Sequence, residues 1–441
     1  MRAFFSSSEW AGSECLRNMR SGETNPHALR SKGHARTSTS QRAYALKPPR
    51  PGQRAAILSN LRNEKMARSA HAYVRGNTAQ FYEWLHSQRG RRLPHGPNVW
   101  ICGDCHVGNL GPTGDINGDI DIHIRDLDQT VIGNPVHDLV RLALSLATAA
   151  RGSDLPGVTT ARMLEEMIVG YEQALLDETD LVPHRPSQVK AGLRDAVKRT
   201  WKNLARERME HTKPTLPIGR HFWPTSRSEK AAIKALCEGP EIHDLVTALK
   251  GRPRDAQVQL LDSAYWVKGC SSLGLMRYAV LLGVGHRDEQ DYCLLDIKEA
   301  VAALAPRGAH VHMPRDNARR VLEGARQLSP SLGERMMATR FLEHGVFIRE
   351  LLPQDLKLDL DSLDKTDAKH AAGYLARVVG RAHARQMDEA TRKSWLAELQ
   401  LNRSRTLDAP SWLWTSVVQL VGNHEQGYLE HCRRYALGPN P

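Results

Sequence analysis

Strand-like patterning in this chain of 441 residues is confined to two regions, which limits the folds open to it. Two short apolar runs, 98–102 and 120–124, flank a polar loop, and a block from about 262 to 299 carries three apolar stretches separated by glycine-containing turns. Strands joined by short turns pair antiparallel. Two more apolar runs, 336–342 and 346–352, complete the small lobe, and most of the remainder is helical in pattern. Ala56, Ile57, Leu61, Met66, Ala72, Tyr73, Phe81, Trp84 and Leu85 recur at helix-like spacings, with a break expected at Arg75 and Gly76. Further helices are predicted over 136–150, 163–176, 194–210, 317–328, 368–387 and 412–435, and a loop over 213–228. Strands gathered in one block among helices predict an α+β fold.

The length corresponds to two or three lobes. The expected organisation is a disordered basic leader over 1–50, a helical large lobe over 51–255, a small β-rich lobe over 256–355, and C-terminal helices over 356–441 that complete the large lobe. The formal net charge is +12, but residues 1–54 hold ten basic and three acidic side chains, a net of +7. The remaining 387 residues carry only +5, so the body lacks the bulk charge of a nucleic-acid binder, and nucleic acid is disfavoured as a partner. The longest apolar run, 139–150, is interrupted by Arg141 and Ser145 and is too short to cross a bilayer. Without a continuous apolar start, the chain is expected to be soluble and cytoplasmic, its seven scattered cysteines reduced.

The chemistry-bearing residues form two constellations. In the first, GDCHVGNLG (103–111) sets Asp104, His106 and Asn109 on one loop after a strand, and RDLDQT (125–130) sets Asp126 and Asp128 after the next. A carboxylate at a strand end can orient a hydroxyl nucleophile, and a carboxylate with an amide oxygen suits Mg²⁺. The five-residue step from Asp104 to Asn109 matches that between the catalytic Asp and metal-binding Asn of protein kinases. The same residues also suit ordinary Gly-Asp and Asx turns. Residues 102–106 additionally spell C-x-x-C-H, a haem-attachment, redox or half-zinc pattern. With no export signal and no second cysteine pair, Cys102 and Cys105 are read as small packed residues.

The second constellation is GCSSLG (269–274), a small-residue loop between strands whose N–H groups can approach phosphate oxygens, followed by Lys298 in an apolar strand. Gly269, Ser271, Ser272 and Gly274 are the candidate cradle. Lys298 would hold phosphates with a helix glutamate as partner, for which Glu323 is chosen over Glu299. Read alone, the loop suits a hairpin and the lysine a solvated edge.

These residues resemble the DUF2252 family of uncharacterised bacterial proteins over about 50–435. The resemblance rests on AYVRG (72–76), WICGDCHVGNLG (100–111), RDLDQT, GNPVHDLVRLALSL (133–146), GCSSLG with DIKEA (296–300), FIRELLP (347–353) and LARVVGRAHAR (375–385). The motifs are also similar to those of aminoglycoside phosphotransferases and choline kinases. Their catalytic loop, metal aspartate and following helix start correspond to Asp104, Asn109, Asp126 and Asp138. Cys102 stands where that loop begins with His, and Ser271 where the glycine loop has its middle Gly.

The resemblance implies a two-lobed protein-kinase-like fold in circularly permuted order, since the catalytic loop here precedes the glycine loop. FIRELLP would be the hinge, with backbone groups near Glu350 and Leu352 binding adenine, and the C-terminal helices would pack beside the first strand. One nucleotide could then bridge the site only if Lys298 lies within about 15 Å of Asp104 and Asp126.

The implied function is an ATP- and Mg²⁺-dependent phosphotransferase acting on an unidentified small-molecule acceptor. Asp104 and Lys298 would be catalytic and Asn109 and Asp126 metal-binding, with His106, Asp128 and Arg75 supporting. A nucleotide-binding pseudokinase or regulator and a nucleotidyl transferase are the alternatives.

Overall fold

In the computed structural model, the residues described are 48–87, 93–176, 185–197, 215–286, 290–355, 365–401 and 409–435. The leader read over 1–50 falls almost wholly outside them, as does most of the basic stretch 194–210.

The chain opens with α1 (Pro51–Met66), α2 (Ala70–Gly76) and α3 (Thr78–His86). Ser69 caps α2 through the Ala72 N–H and Asn77 caps α3 through the Gln80 N–H, which places the expected break at Gly76 and Asn77. Next come β1 (Val99–Ile101), β2 (Leu110–Gly114), β3 (Ile120–Ile124) and β4 (Val131–Gly133). They form two antiparallel pairs, β1 with β4 and β2 with β3, and so hold the 103–109 and 125–130 loops between them.

Helices α4 (Val136–Gly152), α5 (Gly157–Leu176) and α6 (Ser187–Val197) follow, then β5 (Phe222–Pro224), α7 (Arg227–Cys237) and α8 (Pro240–Thr247). The second strand region supplies β6 (Val258–Trp266), β7 (Arg277–Val284) and β8 (Asp291–Glu299). After α9 (Asn317–Leu328) and the short α10 (Pro330–Gly333) come β9 (Met336–Phe341) and β10 (His344–Leu351). The chain continues through α11 (Lys365–Ala384), α12 (Glu389–Gln400) and α13 (Ser411–Tyr435).

Strands β5 to β10 form one antiparallel sheet in the order β5-β6-β7-β8-β10-β9, so the fold is α+β. Strand β5 lies in the predicted loop 213–228, where three residues give too little alternation to read.

The large core is helical, with α4, α5 and α11 contributing Leu139, Leu142, Met167, Tyr171, Leu375 and Val379. Gly170 and Gly373 let α5 and α11 approach closely, since a Cβ at Gly170 would lie 2.1 Å from the Gly373 carbonyl oxygen. A second core covers one face of the six-stranded sheet, where Tyr278, Val280, Leu295 and Ile348 meet Ile233 of α7, Ile242 and Leu245 of α8 and Leu58 of α1. The 51–255 segment is thereby divided between the two cores. The apolar stripes of α1, α7 and α8 find their partner on the sheet, and the buried Arg54–Glu229 pair, 2.6 Å apart, ties α1 to α7.

The C-terminal helices pack beside the first strand. Gln386, just past α11, accepts from the Trp100 N–H at 2.7 Å and donates to its carbonyl at 3.1 Å. No helix among the described residues is long and apolar enough to cross a membrane.

Candidate functional site

The 103–109 loop is held in shape by groups remote in sequence. Gly103 adopts φ +76°, and a Cβ there would lie 2.1 Å from the Gln129 carbonyl oxygen, so the position demands glycine. Both oxygens of fully buried Asp138, in the first turn of α4, accept backbone N–H groups of the loop: Cys102 at 2.7 Å and Gly103 at 2.9 Å. His383 of α11 reaches the same carboxylate at 3.2 Å, and its other ring nitrogen lies 2.9 Å from the Tyr171 hydroxyl. The Tyr82 hydroxyl donates to the Gly103 carbonyl. Cys102 and Cys105 are buried, unbridged members of the large core, as small packed residues.

This scaffold presents Asp104. Its Oδ1 accepts from Nε of Arg141 at 2.9 Å, and its Oδ2 accepts from the Thr78 hydroxyl at 3.0 Å. Burial pushes the Asp104 carboxyl above its ordinary value even though Arg141 and Thr78 pull it down, making it a stronger base than a free aspartate. Asn109 donates to the Asp104 carbonyl at 2.8 Å, which orients its amide oxygen as an acceptor. His106 lies 3.9 Å from Asp104 Oδ2, and burial together with Arg75 and Arg141 drives it well below its usual value, so it is neutral.

Across from this loop, Lys298 of β8 is only 2 % exposed, and its ammonium meets Asp128 and, at 3.4 Å, Asp126. The 15 Å condition is met for Asp126. Burial and the neighbouring Asp126 charge push Asp128 up to about 6, against the pull of Lys298. Asp126 is held well below the usual carboxylate range. Burial opposes this, but Lys298, the Asp128 hydrogen bond, Arg349 and Arg277 outweigh it. The two carboxylates thus divide into one firmly ionised and one poised near neutrality.

A cavity of about 280 Å³ joins these groups. Asp104, Asn109, Asp126 and Asp128 line one side, and Ser271, Ser272 and Gly274 of the glycine loop line the other. Gly269 (φ +96°) and Gly274 (φ +108°) give that loop its turn, but Gly269 is not in the wall; its carbonyl accepts from Lys65 at 2.9 Å.

Three expected roles are corrected. Glu323 does not partner Lys298: it pairs at the surface of α9 with Arg326 at 3.0 Å. One turn earlier, Arg320 is the α9 residue that reaches inward, donating to the Asp128, Thr130 and Val301 carbonyls. Nor are the Glu350 and Leu352 backbones open to a base. Strand β10 lies inside the sheet, and Arg335 takes both backbone groups of Glu350, whose side chain pairs with Arg252 at 2.8 Å. Leu352 exchanges bonds with Asp355 in a turn.

Sequence reasoning missed Arg141, Thr78 and a charged cluster beside Lys298, in which fully buried Asp296 binds Arg277 at 2.5 Å and Arg349 at 3.1 Å. Arg141 had a signal, since an arginine inside an apolar helix run must find a buried acceptor.

Among the described residues no group of three or more His, Cys, Asp or Glu side chains could cage a metal alone. Two carboxylates and an amide oxygen at one cavity do fit an ion that completes its shell with phosphate and water, as Mg²⁺ does. The profile of a family described as uncharacterized protein conserved in bacteria (DUF2252) matches residues 54–434. Neither the curated proteins nor the solved structures contain a match to the chain.

Proposed function

The chain belongs to the DUF2252 family, and on that premise we propose that it is an ATP-dependent phosphotransferase with a circularly permuted, protein-kinase-like arrangement, acting on a small-molecule acceptor. One observation carries the reading. Lys298, buried on the sheet, pairs with Asp126 and Asp128, and those two carboxylates line one cavity together with Asp104, Asn109 and the glycine loop. The order of parts supports it. The glycine loop joins β6 to β7, Lys298 stands on β8, a helix separates β8 from β9, and the helix that would precede a kinase's catalytic loop braces it here from the C-terminal side through His383.

In this reading the acceptor hydroxyl lodges on Asp104 Oδ2, the oxygen that Thr78 occupies, while Arg141 fixes Oδ1. As the hydroxyl oxygen attacks the γ-phosphorus, its proton passes to Asp104 and the bond to the ADP oxygen breaks. Asn109 and Asp126 would hold Mg²⁺, with Asp128 beside them, and the ion would offset charge on the phosphate oxygens. Lys298 would turn from the carboxylates to the phosphates, and N–H groups of the glycine loop would receive them.

The test is ADP formation with Mg²⁺ and a pool of sugars, amino alcohols, sugar phosphates and hydroxy acids on which the wild type turns over, wild type against Asp104→Asn. Loss of a general base lowers turnover by about 10²-fold or more. Equal turnover in the two proteins would remove Asp104 from the mechanism, and a product carrying AMP would make the protein a nucleotidyl transferase.

A further inference from the structure

Around Asp104 the structure gathers an unusual set of nitrogens. His71 and Arg75 lie one turn apart on α2 and so share a face. The Arg75 guanidinium lies against Gly108 of the catalytic loop, 3.1 Å from where a Cβ would stand. Arg141 reaches the same place from α4, bonding Asp104 at 2.9 Å and the Val74 carbonyl, next to Arg75, at 2.7 Å. His106 completes the group from the loop itself, 3.9 Å from Asp104.

Four nitrogens of this cluster, His71 Nδ1, Arg75 Nε, His106 Nδ1 and Arg141 Nη1, are buried with no hydrogen-bond partner among the described residues. Two of the side chains, His106 (5 % exposed) and Arg141 (0 %), are enclosed, whereas His71 and Arg75 are half-buried. Buried donors without partners are rare because each forfeits its hydration. Arg75 and Arg141 bring two positive charges here, and the carboxylate bonded within the cluster is that of Asp104, with Asp126 acting from further off. A role confined to steadying Asp104 uses one atom of Arg141 and leaves the others unexplained.

We propose that this cluster receives an anionic group of the acceptor, a phosphate or carboxylate, and that the phosphotransferase substrate is therefore an alcohol carrying such a group within a few bonds of its hydroxyl. The inference rests on the reading of Asp104 as the residue that orients that hydroxyl. Guanidinium groups suit planar or tetrahedral oxyanions, and an oxyanion here supplies acceptors for the unpaired donors and the negative charge that the cluster lacks.

A γ-phosphate of the nucleotide has the same chemistry, so the experiment separates the two sources. Inorganic phosphate is titrated calorimetrically into the full chain, alone and with a saturating non-hydrolysable ATP analogue and Mg²⁺. The expected result is phosphate binding that survives the nucleotide analogue, weakens at least tenfold in Arg75→Gln, and is partly restored in Arg75→Lys. Mg²⁺-nucleotide affinity should change less than twofold in the same variants. His71→Asn, at the outer edge of the cluster, repeats the measurement should Arg75→Gln fail to fold. Displacement of phosphate by the nucleotide would assign the cluster to the nucleotide's own phosphates and overturn the proposal. Phosphate binding unchanged in Arg75→Gln and His71→Asn, or absent in the wild type, would overturn it too. Failure of the nucleotide to bind at all would instead refute the phosphotransferase reading, and the phosphate titration without nucleotide would still decide whether the anion site exists.

Discussion

Replacing Lys298 by methionine keeps the length of the side chain and removes a cation that touches both Asp126 and Asp128. The size of the effect depends on pH in a way the geometry fixes. Burial and Asp126 raise the Asp128 carboxyl to about 6 while Lys298 pulls it down, so without Lys298 it must rise further. A group whose folded pKa is raised above its unfolded value of 3.8 favours the native state at low pH, where it keeps its proton, and loses that contribution as pH climbs through the folded pKa. At pH 5 Asp128 is mostly protonated in wild type and variant alike, and the substitution removes little of its partnership with Lys298. At pH 8 the wild type holds Asp128 ionised against the lysine. The variant must then either retain a proton at unfavourable pH or leave two carboxylates facing each other. A tenfold change in acidity corresponds to about 1.4 kcal/mol, so a carboxyl made about ten- to a hundredfold less acidic makes Lys298→Met about 1–2 kcal/mol more destabilising at pH 8 than at pH 5. Urea denaturation followed by tryptophan fluorescence at both pH values measures the difference. A destabilisation equal at the two values, or larger at pH 5, would refute the argument that Lys298 acts on an ionised Asp128.

The brace beneath the 103–109 loop should be sensitive as well. Asp138→Ala leaves the Cys102 and Gly103 N–H groups buried without acceptors and is expected to lower stability by about 3–5 kcal/mol in the same assay; a loss under about 1 kcal/mol would contradict the bracing role. Gly103→Ala sets a Cβ against the Gln129 carbonyl at a backbone angle of +76° and is expected to abolish accumulation of folded protein, as judged by soluble expression and circular dichroism. Normal yield and unfolding midpoint would mean that the turn is not confined as described.

Much of the site was legible because its residue types are out of place for packing alone. Asp104, Asn109, Asp126 and Asp128 stand in loops between short strands and line one cavity, and Lys298, which interrupts an apolar strand, pairs with two of them from behind. What periodicity could not supply was the identity of partners. Glu323, the helix glutamate expected to meet Lys298, stays with Arg326, because the helix turns Arg320 inward. The Glu350 and Leu352 backbones were expected to be open, but β10 is an inner strand, and the lateral bonds of Arg335 and Asp355 are tertiary facts. Thr78 and Arg141 converge on Asp104 from two helices, with Thr78 26 and Arg141 37 positions away. The arginine could have been flagged as a charge within an apolar helix, whereas the threonine at the start of α3 gave no signal. In the fold, long apolar helices and the three central strands were readable, while β2, β4 and β5 are too short to show a period and exist through their pairing.

The claim at the centre of the account is that the Lys298–Asp126–Asp128 junction and the glycine loop together bind a nucleotide with Mg²⁺. Isothermal titration of ATP into the full chain, with and without Mg²⁺, tests it most directly. The account predicts one site per chain that is strengthened by Mg²⁺, weakened at least tenfold by Lys298→Met, and stripped of its Mg²⁺ dependence by Asp126→Asn. Absence of binding in the folded wild type, or equal Mg²⁺-dependent affinity in all three proteins, would contradict it.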